Sequence, residues 1–195
     1  LKIITSTYGY GKYKVWTASW EKEKALKEIC CDLLGLCRNK DDVPYNGILR
    51  FLGIQKTNML GSTDSLIYSD DDPYPDDRMK KIYKMYEDYK KDKSYIEFDD
   101  FLNMANQCFD KFPDILKFYQ NKYLYVLSDE FQDVSMAQSL LLKRINNKNT
   151  MIVGDPLQAI YSFRGGRSEY IMRFDQDYSN VKIVHLNTNY RCSTN

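Results

Sequence analysis

The sequence predicts an α/β protein in which a parallel sheet with flanking helices is joined to a mostly helical region. The unbroken apolar run at 123–127 has the length and character of a buried strand, and 150–153 and 181–186 are predicted to be the second and third strands. Helical patterns separate these runs, and alternating strands and helices are typical of a parallel sheet. The 195 residues can form one domain, or one domain with a smaller subdomain, and their 43% hydrophobic and 28% charged residues are typical of a globular protein.

Residues 1–94 are expected to form a separate, mostly helical subdomain. Its first helix begins at Ser19, a residue type that caps helix N-termini, and ends near Gly35. A second helix covers about 46–55, and a third runs from 78 to 91. The third helix carries an apolar and aromatic stripe among lysines, which we interpret as a core face with a solvated opposite side rather than a nucleic-acid surface.

Residues 95–195 carry the predicted sheet and its helices. One helix starts near Asp99, and another follows Pro113, a favoured first helical residue. Ser135 is expected to cap a helix that extends to about Ile145, and a further helix lies around 168–174. The run 123–127 shows no alternation, so it is predicted to be a strand buried on both faces.

Composition excludes several classes of protein. The net charge of +1 gives no argument for nucleic acid, although 134–195 hold eight basic and four acidic residues, a net +4 that is compatible with phosphate contacts. Five cysteines without a CxxC pair, and the single His185, argue against zinc or a disulfide framework and fit a reducing cytosol. The acidic loop at 62–77 lacks the EF-hand glycine and terminal Glu, so we interpret it as solvated. No apolar run approaches the length of a membrane span.

The glycine-rich segment near the start is not a phosphate-binding loop. A Walker A loop needs a glycine five residues before its last glycine, and Ser or Thr after its lysine. Around Gly11 and Lys12 those positions hold Ser6 and Tyr13. The chain also opens at Leu1 and ends at Asn195 directly after a motif, so we expect a fragment of a larger protein.

Polar residues follow each predicted strand. Asp129 and Glu130 follow the first, Gln158 comes soon after the second, and Arg191 follows the third. Because ligands bind beyond the carboxyl ends of parallel strands, these side chains are expected to share one edge. Acids for Mg²⁺ and water, an amide for the γ-phosphate and an arginine for developing charge fit hydrolysis of a nucleoside triphosphate. Taken alone, the first strand with its acids is better explained as a strand that ends in a polar turn, because an apolar run followed by Asp-Glu is common.

Three segments make a resemblance specific. They are DEFQD at 129–133, VGDPLQAIYSFRGG at 153–166 and NYR at 189–191. In this order they resemble motifs II, III and IV of UvrD/Rep-type superfamily 1 DNA helicases. The segment IEFDDFL at 96–102 is similar to the family's apolar-acidic-Phe-Asp-Asp-Leu-Leu stretch. The resemblance is close over about 78–193 and loose over 1–77, and Ser128 stands where the family usually has an apolar residue.

The resemblance implies a fold and an ATP site. Residues 95–195 would be the later part of the first RecA-like domain, and 1–94 a helical subdomain inserted in it. With ATP and Mg²⁺ as cofactors, Asp129 would hold Mg²⁺ and Glu130, beside the metal, would activate the hydrolytic water. Gln158 would couple the γ-phosphate to the DNA site, and Arg191 would contact that phosphate.

The resemblance also implies a DNA site and a function. Tyr161 and Phe163 would stack on single-stranded bases with Arg164 nearby, unless the two aromatics form a packed core pair. The implied protein is a cytoplasmic, nucleoid-associated helicase of DNA repair or replication, with 3′-to-5′ movement on single-stranded DNA and at junctions with duplex. Two alternatives stay open: the helicase part of a helicase-nuclease, and a non-catalytic DNA-binding or protein-interaction module.

Overall fold

A computed structural model describes residues 13–146, 149–160 and 165–188. The helical elements and strands of these residues follow one another in the order given next. They are β1 (Lys14–Val15), α1 (Ser19–Lys27), a π-helical turn (Glu28–Leu33), a 3₁₀ turn (Lys40–Asp42), α2 (Tyr45–Thr57), α3 (Asp76–Asp92), β2 (Tyr95–Ile96), α4 (Phe98–Lys111), α5 (Pro113–Lys122), β3 (Val126–Ser128), a 3₁₀ turn (Phe131–Asp133), α6 (Met136–Ile145), β4 (Thr150–Ile152), a 3₁₀ turn (Pro156–Gln158), α7 (Glu169–Met172) and α8 (Phe174–Asp177). None of the helices in these ranges is long and apolar enough to cross a membrane.

Several helix ends form where the sequence predicts them. Ser135 caps α6 through a reciprocal pair of hydrogen bonds with Gln138, and Pro113 is the first residue of α5. Gly35 has φ +61°, the left-handed conformation that ends helices and that glycine adopts without strain. The N-cap of α1 is Ala18 rather than Ser19, which is already the first helical residue. The described part of 13–94 is mainly helical, while the domain boundary at 94 stays a prediction.

The main core lies among α1, α2 and α3. Trp16 is 2% exposed and stacks on Tyr86, Tyr89 and Tyr95, with ring centroids 4.8–5.8 Å apart. Such aromatic pairs contribute about 0.5–1.5 kcal/mol each beyond the burial of their area. Trp16 directly follows β1, and β1 pairs in parallel with β2. The beginning of the described chain is therefore fastened to the residues that lead into α4.

A buried ion cluster joins α2, α3 and the start of α4. The ammonium of Lys56 lies 2.5 Å from Glu97 and 3.1 Å from Asp100, and Lys90 lies 2.6 Å from Asp100. Glu87 reaches both lysines at 3.0 Å. Glu87, Glu97 and Asp100 are close enough to bind a metal ion together, but the two ammonium groups already occupy the space between them. The cluster is therefore an electrostatic joint between helices.

The ion cluster makes stability depend on pH. Burial alone would raise the pKa of Glu97 and of Asp100, but Lys56 and Lys90 outweigh it and hold both pKa values below their ordinary range. A lowered folded-state pKa stabilises the fold above the unfolded value of about 4 and loses that stabilisation as pH falls further. We expect the melting temperature to fall steeply below about pH 4, measured by circular dichroism between pH 7 and 2. A Glu97→Gln variant should show a shallower pH dependence, and identical slopes would contradict this origin.

The second sheet contains β3 and β4, which run in parallel with Ser128 opposite Ile152. The parallel pairing is as predicted, but the first strand spans Val126–Ser128 rather than 123–127. Its predicted burial on both faces is wrong: Val126 is 7% exposed, whereas Leu127 is 72% exposed. Met151, which is paired with Leu127 across the sheet, is 59% exposed, so this face of β3 and β4 is open in the described part of the chain.

The predicted third strand is wrong for this structure. Residues 181–188 have no regular secondary structure and pair with no strand among the described residues. Ile183, Val184 and Leu186 are between 62% and 86% exposed. An apolar run becomes a strand only when a neighbouring strand accepts its backbone hydrogen bonds, and the described chain supplies none beside this run. The predicted helix at 168–174 is instead two short helices, α7 and α8.

Candidate functional site

The site is built where β3 and β4 end at one edge. Val153 donates its N–H to Ser128 O at 2.8 Å, and Phe131 donates to Val153 O at 2.9 Å, so the two chains stay paired beyond the strands. Asp129 and Glu130 follow β3 and are exposed at this edge. The structure therefore brings the two predicted acids to the carboxyl end of a parallel sheet, where such folds bind ligands.

Glu130 has an unusual backbone. Its φ of 50° and ψ of 41° are left-handed, a conformation that costs a side-chain-bearing residue about 1–3 kcal/mol and that clusters at functional sites. The Glu130 N–H donates to the Asp129 carboxylate at 2.9 Å, which ties the two acids together. The chain then continues into the 3₁₀ turn at Phe131–Asp133.

Gln132 connects the two strand ends through its side-chain amide. It is 2% exposed, donates from Nε2 to Glu130 at 2.7 Å, and accepts at Oε1 from the N–H of Asp155 at 3.0 Å. A buried amide with both ends bonded has a fixed orientation. Gln132 therefore fixes the Glu130 carboxylate relative to the chain that follows β4.

Gly154 allows this close approach. A Cβ at Gly154 would overlap Oε1 of Gln132 and lie 2.9 Å from Cδ1 of Ile171. Any larger residue would therefore push Gln132 out of its position. Sequence reasoning gave neither Gln132 nor Gly154 a role, although both lie inside the motifs that carried the resemblance.

Gln158 lies at the far end of the same chain of hydrogen bonds. Its Nε2 donates to one carboxylate oxygen of Asp155 at 2.8 Å, and the Leu157 N–H donates to the other at 3.0 Å. Gln158 is exposed, so it remains accessible to a ligand. The order Glu130, Gln132, Asp155, Gln158 is a continuous relay across the edge, which we call the Gln132 relay.

A cavity of about 400 Å³ lies beside the acids and is lined by Asp129, Glu130 and Asp133 together with Ser128 and residues of α6. One carboxylate oxygen of Asp133 is buried and has no hydrogen-bond partner among the described residues. Several carboxylate oxygens with room for water are the donors that Mg²⁺ takes in nucleotide enzymes. The donor set at this edge therefore fits Mg²⁺. Sequence reasoning did not assign Asp133.

Four predicted site residues lie outside the described residues. They are Tyr161, Phe163, Arg164 and Arg191. The roles assigned to them in DNA and phosphate binding remain predictions. The predicted residues that the structure describes, Asp129, Glu130 and Gln158, lie at the sheet edge or on the relay that leads from it.

Comparison with known proteins decides the family. The model of the UvrD/REP helicase N-terminal domain matches residues 17–179, most of the chain. The chain belongs to the UvrD/Rep helicase family. The resemblance found in the motifs is thereby confirmed.

Several relatives carry the names of DNA helicases. "Putative ATP-dependent DNA helicase YjcD" of Bacillus subtilis (strain 168) is 30% identical over 97% of this chain and 26% of its own length. DNA helicase II of Rickettsia typhi is 34% identical over 82% of this chain and 25% of its own length. The ATP-dependent DNA helicase PcrA of Staphylococcus epidermidis is 37% identical over 58% of this chain and 16% of its own length. This UvrD/Rep-family chain thus spans about a quarter or less of these relatives.

Proposed function

We propose that the whole protein is an ATP-dependent DNA helicase that couples ATP hydrolysis to 3′-to-5′ movement along single-stranded DNA and to unwinding. The observation that carries the proposal is the Gln132 relay, which links Glu130 to Gln158 across two strand ends. A motor needs such a link, because Glu130, which acts on the hydrolytic water, must respond to DNA bound by the residues that follow β4. Family membership supports the same activity.

Each acid has a distinct part in the proposed ATP site. Asp129 would hold Mg²⁺, and the ion would supply positive charge to neutralise the phosphate oxygens of ATP. Glu130 accepts a proton from the attacking water as general base, and its carboxylate is held for this by Gln132. Gln158 exchanges its bond to Asp155 for a γ-phosphate oxygen, and Arg191 contacts the same phosphate.

The proposed DNA contacts follow Gln158 within six residues of the sequence. Tyr161 and Phe163 stack on bases, and Arg164 adds a cation. Stacking tolerates every base, as a translocating motor requires. The substrates are single strands and their junctions with duplex, and the place of action is the nucleoid in the cytoplasm.

The exposed sheet face supports a larger sheet in the whole protein. Tyr125, Leu127, Met151 and Val153 are between 41% and 72% exposed along β3, β4 and their ends. Parallel sheets are covered on both faces in stable proteins. We therefore propose that further strands and helices of a RecA-like domain complete this sheet.

Strand displacement tests the helicase proposal. The whole protein is mixed with Mg²⁺, ATP and a short duplex that carries either a 3′ or a 5′ single-stranded tail. We expect displacement of the 3′-tailed duplex and little displacement of the 5′-tailed one. The reverse preference would contradict the direction, and displacement of neither, together with no ATP turnover, would favour the non-catalytic module. Nuclease products would favour the helicase-nuclease alternative.

Gln132→Ala is expected to lower kcat for ATP about 10- to 100-fold with little change in the ATP concentration for half-saturation. Loss of a side chain that hydrogen-bonds and orients an active-site residue typically reduces activity by this factor. Steady-state phosphate release by the whole protein measures both constants. Gln176→Ala, an exposed glutamine on α8, is the matched control and should leave both unchanged. A merely structural Gln132 would lower the melting temperature and leave kcat per folded molecule at the wild-type level.

A further inference from the structure

Another contact between distant parts of the chain lies at the C-terminal end of the motif at 153–166, which contains Gln158. Gly165 is buried with φ +83°, a left-handed conformation that favours glycine. A Cβ at Gly165 would overlap the Thr57 hydroxyl, which is held because it donates to Gly53 O at 2.9 Å. Gly165 therefore lies directly against the last turn of α2.

The next two residues contact the chain just after the 3₁₀ turn at Phe131–Asp133. Gly166 forms an antiparallel bridge with Ser135, and the Arg167 N–H donates to Val134 O at 3.2 Å. Val134 follows Gln132 by two residues. The peptide 165–167 is thus held between the end of α2 and the segment that leads from the acids to α6.

The Arg167 side chain completes this junction. Its Nη2 donates to Oδ1 of Asn58 at 2.5 Å, and its Nη1 donates to Glu169 at 3.2 Å. Asn58 is 5% exposed and is itself fixed, because its Nδ2 donates to Ile54 O at 2.8 Å. Asn58 is the C-cap of α2, where a nearby cation also interacts favourably with the helix dipole.

The end of α2 is a rigid anchor for such a contact. Lys56, two residues before Asn58, belongs to the buried ion cluster. The Lys56 carbonyl accepts a hydrogen bond from Asn103 of α4 at 3.0 Å. A residue attached to Asn58 is therefore attached to α3 and α4 as well.

We propose that Arg167, through Asn58, is a positioning residue that ties the peptide following the proposed DNA-contacting residues to the helical part of the chain. This inference rests on the proposed function and extends it: the helical part sets the affinity for single-stranded DNA without contacting it at this point. The sequence separation of 109 residues between the two partners makes the contact a true link between distant parts of the chain.

Arg167→Ala in the whole protein is expected to weaken binding of a fluorescent oligo-dT strand roughly 2- to 30-fold, the range over which such couplings act. The DNA concentration for half-maximal stimulation of ATP turnover should rise by the same factor, with kcat at saturating DNA changed less. Arg167→Lys keeps the charge but loses the planar fork, so it should restore binding incompletely. Arg173→Ala, an exposed arginine between α7 and α8, is the matched control.

The hydrogen bond between Arg167 and Asn58 allows a second, independent test by a double variant. If the two side chains act through one contact, the double variant Asn58→Ala with Arg167→Ala should bind DNA as well as the single variant with the lower DNA affinity. Additive losses would contradict the link. A lowered melting temperature with wild-type DNA affinity in both Arg167 variants would make the contact structural alone and overturn the proposal. Wild-type protein that fails to bind the strand would contradict the proposed function itself.

Discussion

Glu130→Gln in the whole protein is expected to lower ATP turnover by at least about 100-fold, the lower range for the loss of a positioned general base. Nucleotide affinity should stay close to wild type, because glutamine has nearly the same shape as glutamate. Its amide oxygen can still accept the bond that Gln132 donates at 2.7 Å, so the relay geometry survives the substitution. The change therefore removes the proton acceptor and little else.

The measurement combines phosphate release with binding of a fluorescent ATP analogue on one preparation. Glu28→Gln, an exposed glutamate in the helical part, is the matched control and should turn over ATP at the wild-type rate. Near-normal turnover in the Glu130 variant would mean that another group is the base. A parallel loss of nucleotide binding would point to damage at the site instead of lost base catalysis.

Lys56→Met is expected to reduce the free energy of unfolding by about 3–5 kcal/mol, the cost of leaving buried charges without their partner. Lys56 is 3% exposed, and burial alone would lower its pKa, but Asp100, Glu97 and Glu87 raise it well above the ordinary value. The stabilisation from this raised pKa is present below about 10.4 and is lost only as pH rises through the folded value. At neutral pH the lysine is fully charged, so its removal shows the whole effect.

Urea unfolding of the chain, followed by circular dichroism, gives this free energy. Lys84→Met on the exposed side of α3 changes the same atoms at the surface and should shift stability by no more than about 0.5 kcal/mol. Equal losses in the two variants would show that the cluster adds no particular stability. A larger loss in Lys56→Met at pH 7 than at pH 2 would tie the effect to ionised partners.

Local signals were sufficient to predict much of the fold. Ser135 is followed three residues later by Gln138, and this pair forms the reciprocal cap of α6. The position of Asp129 and Glu130 after an apolar run was enough to place them at a sheet edge. These features depend on a few neighbouring residues, which is why sequence alone carries them.

The burial of side chains and the contacts between distant residues could not be predicted from the sequence. Leu127 and Ile183 have the character of buried strand residues, yet both are exposed because burial depends on what packs against them. The partnership of Lys56 with Glu97 joins residues 41 apart in the chain, and that of Arg167 with Asn58 joins residues 109 apart. A lysine in a helix gives no local sign that its charge is buried, so only the structure reveals the ion cluster.

ATP hydrolysis by the whole protein with and without single-stranded DNA tests whether the acids at the sheet edge are coupled to DNA. Phosphate release is followed at saturating ATP and Mg²⁺ while an oligo-dT strand is added. We expect slow turnover without DNA, a strong acceleration by the strand, and loss of both when Mg²⁺ is chelated. Turnover that is absent under all conditions, or that is the same with and without DNA, would contradict the coupling of Glu130 and Gln158 to a DNA site.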